Sequence, residues 1–198
     1  MMARKIPIVA TLVVLAAVAV MIRLGFWQVQ RMHEKDALLA RYTAAQASAQ
    51  EASWDGNQAT GQQLLFRRSR LTCVDSRPLA PMAGHNARRE TGWSQVLLCK
   101  TPSGYEVELV AGWTQAPNSI AVQPAQAVVG WIAPGRGDEV RFVADPALGQ
   151  DAGLQPNARP DPTAIPNNHW SYAVQWFLFA GVALVIYGLA LRKRLLAA

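Results

Sequence analysis

His169 is the residue of this sequence whose type and position most directly suggest ligand chemistry. It follows Asn167 and Asn168 and stands three residues before an apolar run that begins at Tyr172. If a helix begins here with one of the asparagines as its cap, the partial positive charge of its N-terminus disfavours a protonated imidazole. A neutral imidazole is the form that ligates a metal. An interfacial histidine that hydrogen-bonds to lipid headgroups or backbone explains the same position, and the sequence leaves both interpretations open.

The two cysteines offer a second possible chemistry. Cys73 and Cys99 fall on different predicted strands, and in an oxidising compartment they could form a disulfide if those strands are neighbours in register. Copper or thiol chemistry is the alternative, but the sequence has no C-x-x-C pair and no cluster of histidines. It also has no G-x-S-x-G, H-E-x-x-H or phosphate-binding loop. We therefore expect a protein that is not an enzyme.

Two apolar runs near the chain ends determine where these residues would lie. Residues 6–22 and 172–191 are predominantly apolar, and the second run contains no formal charge. The first run continues through Leu24–Trp27 after a single Arg23, whose long side chain can reach a headgroup. About 20 apolar residues cross a bilayer, so we expect one transmembrane helix at each end. A cleaved signal peptide ending near Ala17–Ala19 is the alternative for the first run.

The net charge of +6 marks the ends of these runs rather than a nucleic-acid surface. Six of the 19 basic residues flank or interrupt the runs, and the other 13 are matched by the 13 acidic residues. We therefore expect no nucleic-acid partner, because such binders concentrate basic charge on the folded domain. Basic residues beside transmembrane ends favour the cytoplasmic side. Both termini are thus expected in the cytoplasm, with the central domain in the periplasm and the bacterial inner membrane as the location.

The order of these patterns divides the chain into six predicted segments. They are a cytoplasmic N-terminus (1–5), transmembrane helix 1 (6–27), a helical extension (28–54), a periplasmic β-rich domain with its tether (55–168), transmembrane helix 2 (169–191) and a cytoplasmic basic tail (192–198). In the β-rich domain, period-two alternation predicts five or six strands, at 64–77, 92–100, 105–113, 127–132 and 139–144. The fold class is therefore a membrane protein of α+β type, with an antiparallel small barrel or curled sheet between two helices.

The segments next to the predicted membrane helices resemble those of a known family. The chain reads LGFWQVQR over 24–31 and PNNHWSYAVQWF over 166–177. With the two-helix layout, these motifs resemble the surfeit locus protein 1 family of cytochrome c oxidase assembly factors. The middle of the chain departs from the family's Arg-Gly-Trp-Val-Pro pattern, because it reads VAGWTQ over 110–115. Gly112 and Trp113 match the pattern, whereas the role of the missing arginine is not carried over.

The resemblance implies a role in supplying haem a to the catalytic subunit of cytochrome c oxidase, or in inserting it there. It makes His169 the candidate ligand of the haem iron, with haem A synthase and the lipid membrane as further partners. His33 would be a second axial ligand only if the two helices pack side by side, and is otherwise a solvated helix position. The remaining candidate haem-site residues are aromatic or basic: Trp27, Arg31, Trp170 and Tyr172. An aromatic belt and a salt bridge or lipid contact explain these residues without haem.

Other positions are candidates for partner or structural contacts rather than for haem. They are Gln28, Gly112, Trp113, Gln175 and Trp176. Gln28 and Gln175 are polar groups near or in the apolar runs, so each is expected to find a partner, either the other glutamine or a partner subunit. Two further function classes stay open: a cofactor-free membrane scaffold that stabilises an oxidase assembly intermediate, and a thiol or copper factor that depends on Cys73 and Cys99.

Overall fold

The computed structural model describes residues 7–117 and 127–196. Within them the chain forms two compact units, which we call the helix pair and the sheet unit. The helix pair contains the described residues up to Leu39 and from Ile165 onward, and the sheet unit contains those within Ala40–Ala164. The predicted N-terminal segment 1–5, the first residue of predicted helix 1 and the last two residues of the predicted basic tail lie outside the described residues.

The helices are α1 (Ile8–Ala47), α2 (Gln58–Gln63) and α3 (His169–Leu196). Helices α1 and α3 are both long and apolar enough to cross a membrane. Thr11 Oγ1 lies 2.5 Å from Tyr187 OH, and Gln28 meets His169 towards the opposite end of the pair. The two helices therefore run antiparallel. Most of their apolar side chains face outward, as expected of helices surrounded by lipid rather than by protein.

Small side chains line the contact between these two helices. The buried residues of α1 and α3 in this unit are Val18, Gly25, Ala173 and Ala180. Because lipid tails are as apolar as leucine, helices in a membrane gain by close backbone approach and van der Waals packing rather than by a hydrophobic effect. The composition of this contact is typical of such packing.

The sheet unit contains seven strands. They are β1 (Arg68–Thr72), β2 (Asp75–Pro78), β3 (Met82–His85), β4 (Thr91–Lys100), β5 (Glu106–Thr114), β6 (Ala127–Pro134) and β7 (Val140–Ala144). Their order is β1-β6-β7-β5-β4-β2, and β3 pairs with β4 beside β2. Among the described residues the sheet does not close on itself. The predicted fold class, two long apolar helices flanking a β-rich domain, is therefore confirmed, with a curled sheet in place of a barrel.

The strand pairing departs from the sequence-based expectation in two places. Strands β5 and β7 are parallel. Strand β7 lies between β6 and β5, and it is antiparallel to β6. The predicted strand 64–77 is divided: Leu64 caps α2, β1 begins only at Arg68, and a break at 73–74 separates β1 from β2. Strand β3 was not expected, since its sequence MAGH has no apolar alternation.

Side chains of the central strands form much of the core of the sheet unit. On β5, burial alternates from Glu106 to Leu109, as a period of two requires. From Leu109 to Trp113 every residue is buried, so both faces of that half of the strand are covered. Phe142 of β7 is also fully buried, and the ring of Trp54 stacks on it with a centroid separation of 6.1 Å. The core therefore comes from the strands that the alternation predicts.

Cys73 and Cys99 form a disulfide within the sheet unit, with their Cα atoms 5.5 Å apart. Cys73 lies just after β1, and Cys99 lies on β4 opposite Ser76 of β2. Both side chains are at least nine-tenths buried. The bridge thus ties the break between β1 and β2 to a central strand.

Within the sheet unit, the segment that follows β7 packs onto β5. Trp113 and Gln155 exchange two backbone hydrogen bonds, of 2.8 and 2.9 Å. Leu154 is buried beneath this pairing, where a Cβ on Gly112 would lie only 2.9 Å from its side chain. The glycine is therefore required for the close approach of this segment to β5.

Candidate functional site

The first turn of α3 places His169 beside α1. Asn168 precedes the helix, and its backbone oxygen accepts a hydrogen bond from Tyr172 N at 3.4 Å. The side chain of Asn167 does not cap this helix. Instead its Nδ2 donates to Asp36 Oδ1 of α1 at 2.7 Å, and it lies 3.5 Å from the backbone oxygen of Met32. These contacts fix where α3 begins relative to α1.

His169 and Gln28 form the central contact of the candidate site. Nδ1 of the imidazole lies 2.8 Å from Oε1 of the glutamine, and both residues are half-buried. Because an amide oxygen can only accept, Nδ1 carries the proton and donates it. A neutral imidazole has one N–H, so Nε2 keeps its lone pair. The arrangement therefore leaves Nε2 as the nitrogen that can ligate a metal.

The predicted pairing of the two glutamines does not occur. Gln28 bonds to His169, while Gln175 is exposed on the outside of α3. The two residues lie on different faces because the helix contact is centred on Gly25 of α1 and on Ala173 and Ala180 of α3. Gln175 is thus presented to whatever surrounds the helices.

The aromatic candidates are exposed and are not gathered into one cluster. Trp27, Trp170 and Tyr172 are each at least half exposed. The ring contacts among the described residues of this unit are Phe26 with Phe177, at 5.3 Å, and Trp176 with Phe179, at 6.3 Å. Trp27, Trp170 and Tyr172 are therefore exposed enough to form part of an aromatic belt or to contact a flat ligand.

The basic candidate Arg31 has an acidic partner on its own helix. Its Nη1 donates to Glu34 Oε2 at 2.6 Å, with both side chains about half exposed. Such an exposed pair contributes up to about 1 kcal/mol of stability, so it can open when a stronger anion arrives. His33 is exposed on the same helix.

Gly112 and Trp113 belong to the core of the sheet unit. Trp113 is buried, and its indole Nε1 donates to the backbone oxygen of Gly84 at 3.3 Å. Ala111, where the family resemblance would place arginine, is fully buried, and its backbone oxygen accepts from Leu148 N at 2.7 Å. Alanine fits this position without leaving a charge in the core.

Asp36 and Phe177 both contact the opposite helix of the pair, and neither was among the predicted site residues. Gln28, Met32 and Asp36 are spaced four residues apart, so they share one face of α1. That spacing was the signal that this polar face meets α3. The contact of Phe177 with Gly25 could not be predicted in this way, because an apolar ring fits a helix contact and a lipid-facing surface alike.

The sheet unit carries a separate groove with a volume of about 1,040 Å³. Its charges are paired: Arg159 Nε donates to Asp145 Oδ2 at 2.9 Å, and Arg89 Nη2 donates to Asp161 Oδ2 at 3.0 Å. The guanidinium of Arg159 also lies over the ring of Trp131, 5.6 Å from its centroid. Because each of these two arginines is paired with an aspartate, the groove shows no preference for an anionic or a cationic ligand.

Asp161 has a lowered pKa for a local reason. Hydrogen bonds from the side chain and backbone of Thr163, and then from Arg89, stabilise the carboxylate and lower its pKa. The stability that these bonds contribute is present above the ordinary pKa of an aspartate and is lost as the pH falls through the lowered value. At neutral pH the contact is intact.

Replacing Gly25 by leucine is expected to weaken the association of the two helices by about 1–3 kcal/mol, as overpacking does elsewhere. A Cβ at this position would lie 2.7 Å from two ring carbons of Phe177. A leucine would displace this ring, which packs edge-on against Phe26 with a centroid separation of 5.3 Å. Reversible unfolding in mixed dodecylmaltoside–SDS micelles measures the change. Gly188→Leu is the matched control, since its Cβ meets no atom within 4 Å; equal midpoints for the two variants would contradict the packing.

Among the described residues, no three His, Cys, Asp or Glu side chains are grouped as a metal centre. Cys73 and Cys99 supply no thiolate while they are bonded to each other. Iron at this site would therefore depend on one imidazole and on ligands that the metal brings with it. A porphyrin supplies four nitrogen ligands of its own, so the donor set fits haem better than a bare ion.

Comparison with protein-family models matches residues 15–181 to the SURF1 family. This match covers most of α1, the whole sheet unit and the first half of α3, up to residue 181. It includes His169, Gln28 and the Gly112–Trp113 pair. Comparison with curated proteins finds no significant match.

Proposed function

Since this chain belongs to the SURF1 family, whose members are cytochrome oxidase assembly factors, we propose that it binds haem a transiently and helps insert it into the catalytic subunit of cytochrome c oxidase. The observation that carries the proposal is the contact of His169 Nδ1 with Gln28 Oε1 at 2.8 Å. The contact places the ring proton on Nδ1, so the neutral ring would present Nε2 to iron. When bound, haem a would supply the iron and its four porphyrin nitrogens.

A single imidazole suits a carrier better than two. His169 would hold the iron through one protein–metal bond, which a ligand of the receiving protein could replace more readily than two such bonds. His169 is half-buried at the end of the helix pair. Trp170 and Tyr172 follow it on α3, Trp27 precedes Gln28 on α1, and all three rings are exposed. Each of these rings could contact an apolar macrocycle without first having to leave a protein core. Arg31 can exchange Glu34 for a haem propionate, since its present ion pair is exposed.

The proposed location is the bacterial inner membrane, with both termini in the cytoplasm and the sheet unit in the periplasm. Two antiparallel spans bring both chain ends to the same side. The basic residues Arg192, Lys193 and Arg194 that end α3 favour the cytoplasm for that side. The buried disulfide of the sheet unit is consistent with an oxidising periplasm.

The proposed partners follow from this location and cargo. The catalytic subunit of cytochrome c oxidase receives the haem, haem A synthase is a source of it, and the lipid membrane surrounds the helix pair. The protein acts as a chaperone of a cofactor and is not an enzyme. His169 would bind the haem iron and release it, and the haem itself would be passed on chemically unchanged.

A cofactor-free membrane scaffold is the second candidate function. It is favoured by the exposure of Trp27, Trp170 and Tyr172 and by the existing pairing of Arg31 with Glu34. These groups could equally meet helices of an oxidase assembly intermediate. The two functions differ in whether haem passes through this protein.

A transfer experiment tests the proposed function. The full-length protein in lipid nanodiscs is loaded with haem a and mixed with nanodiscs that contain the haem-free catalytic subunit. We expect the absorption spectrum to change to that of the inserted haem faster than from nanodiscs holding haem a without protein. Equal rates from the two donors would refute insertion by this chain and favour the scaffold.

A further inference from the structure

We propose that Gln28 is a positioning residue that sets the tautomer of His169 and so keeps its Nε2 available to haem iron; this inference rests on the proposed function. Gln28 does not itself bind haem in this account. Its Oε1 accepts a hydrogen bond from Nδ1–H of His169, with the two heavy atoms 2.8 Å apart. The ligand atom is therefore chosen by a residue on the opposite helix.

The need for such a residue comes from the chemistry of a neutral imidazole. Its one proton can sit on either nitrogen, and the nitrogen that holds it cannot ligate a metal. Metal-binding histidines commonly donate their other ring N–H to a neighbouring acceptor, which fixes both tautomer and ring orientation. Gln28 Oε1 is placed to do this, and both residues are half-buried.

Contacts on both sides of Gln28 hold it in place. Towards the start of α1, Gly25 and Phe177 bring the two helices into close approach. Further along, Asp36 Oδ1 accepts a hydrogen bond of 2.7 Å from Asn167 Nδ2. Gln28 thus lies on α1 between two contacts with α3, and its amide is already within hydrogen-bond distance of His169, the first residue of α3.

The acceptor is an amide, and that choice suits release of the cargo. A carboxylate in the same place would accept the Nδ1 proton more strongly and would make the imidazole a more basic ligand. A neutral amide fixes the tautomer with less of this effect. We therefore infer that Gln28 gives His169 the correct nitrogen while keeping the iron bond weak enough for transfer.

Three variants of the full-length protein in nanodiscs test this role: Gln28→Leu, Gln28→Glu and, as the matched control, Gln30→Leu. Gln30 is exposed on the same helix, and its amide bonds to Glu34 at 3.1 Å rather than to α3. The first readout needs no haem: ¹⁵N shifts of the His169 ring report which nitrogen carries the proton. The second is the affinity for haem a, measured by spectroscopic titration.

We expect wild type and Gln30→Leu to show protonated Nδ1 and equal haem affinity. Gln28→Leu is expected to shift the proton towards Nε2 and to weaken haem binding about 10-fold or more, as loss of such an acceptor does at other metal sites. Gln28→Glu is expected to keep protonated Nδ1, to bind haem at least as tightly as wild type and to release it more slowly to the catalytic subunit.

The outcomes separate this inference from the proposed function. If wild type binds haem a and Gln28→Leu leaves both the ring tautomer and the affinity unchanged, the role of Gln28 is refuted while the carrier function stands. If wild type binds no haem a, the proposed function fails first. A change in affinity without a change in tautomer would also overturn the inference, because it would show that Gln28 acts by some other route.

Discussion

The double substitution Cys73→Ser/Cys99→Ser is expected to lower the free energy of unfolding of the sheet unit by about 3.5 kcal/mol. The two cysteines are 26 residues apart in sequence, and closing a loop of that length restricts the unfolded chain by about this amount in the loop-entropy model. Both cysteines are also buried. The serine hydroxyls would therefore need hydrogen-bond partners, which the bonded sulfurs do not need. Urea unfolding of the full-length protein in nanodiscs, followed by tryptophan fluorescence, measures the loss.

Reduction of the wild-type protein provides the control for this prediction. A reductant should lower the wild-type midpoint towards that of the double variant and leave the variant unchanged. Equal midpoints for oxidised wild type, reduced wild type and the variant would show that the bridge contributes nothing to stability.

The same double variant separates the carrier from a thiol or copper factor. We expect oxidase assembly to continue at a temperature where the variant stays folded, because the proposed haem ligand, His169, belongs to the helix pair and the cysteines belong to the sheet unit. Loss of assembly with normal amounts of folded variant would instead assign the chemistry to the cysteines.

The long elements of the fold were predictable because each has a strong local signal. The apolar runs predicted the first part of α1 and most of α3, and alternation predicted the first half of β5, whose Val107 and Leu109 are fully buried. Strand β3 lacked that signal, since its short MAGH sequence is held by pairing with β4 rather than by its own pattern. The parallel pairing of β5 with β7 depends on how distant strands are ordered, which no local pattern records.

The candidate site was only half predictable for a related reason. The sequence singled out His169 from its place before an apolar run, but its partner depends on which faces of two helices meet. The sequence allows Gln28 to pair with Gln175 or with a partner subunit. In the structure Gln175 is exposed on α3, and Gln28 contacts the imidazole of His169 instead. The four-residue spacing of Gln28, Met32 and Asp36 was the one local sign of that face.

The substitution His169→Ala is expected to abolish haem a binding, which is the largest functional effect predicted for this chain. The imidazole supplies the only protein ligand that we assign to iron, and alanine has no atom that could take its place. The fold should persist, because alanine is tolerated at a helix start and the Asn167–Asp36 contact remains. His85→Ala is the matched control, since that histidine is exposed on β3 of the sheet unit.

The haem content of the purified protein shows whether this chain holds haem a through His169. Wild type, His169→Ala and His85→Ala are each co-expressed with the enzymes that make haem A, purified in mild detergent and analysed by pyridine haemochrome spectra. The account predicts haem a in wild type and in His85→Ala, background levels in His169→Ala, and recovery when haem a and free imidazole are added to that variant. Haem a retained by folded His169→Ala at the wild-type level, or absent from folded wild type, would contradict it.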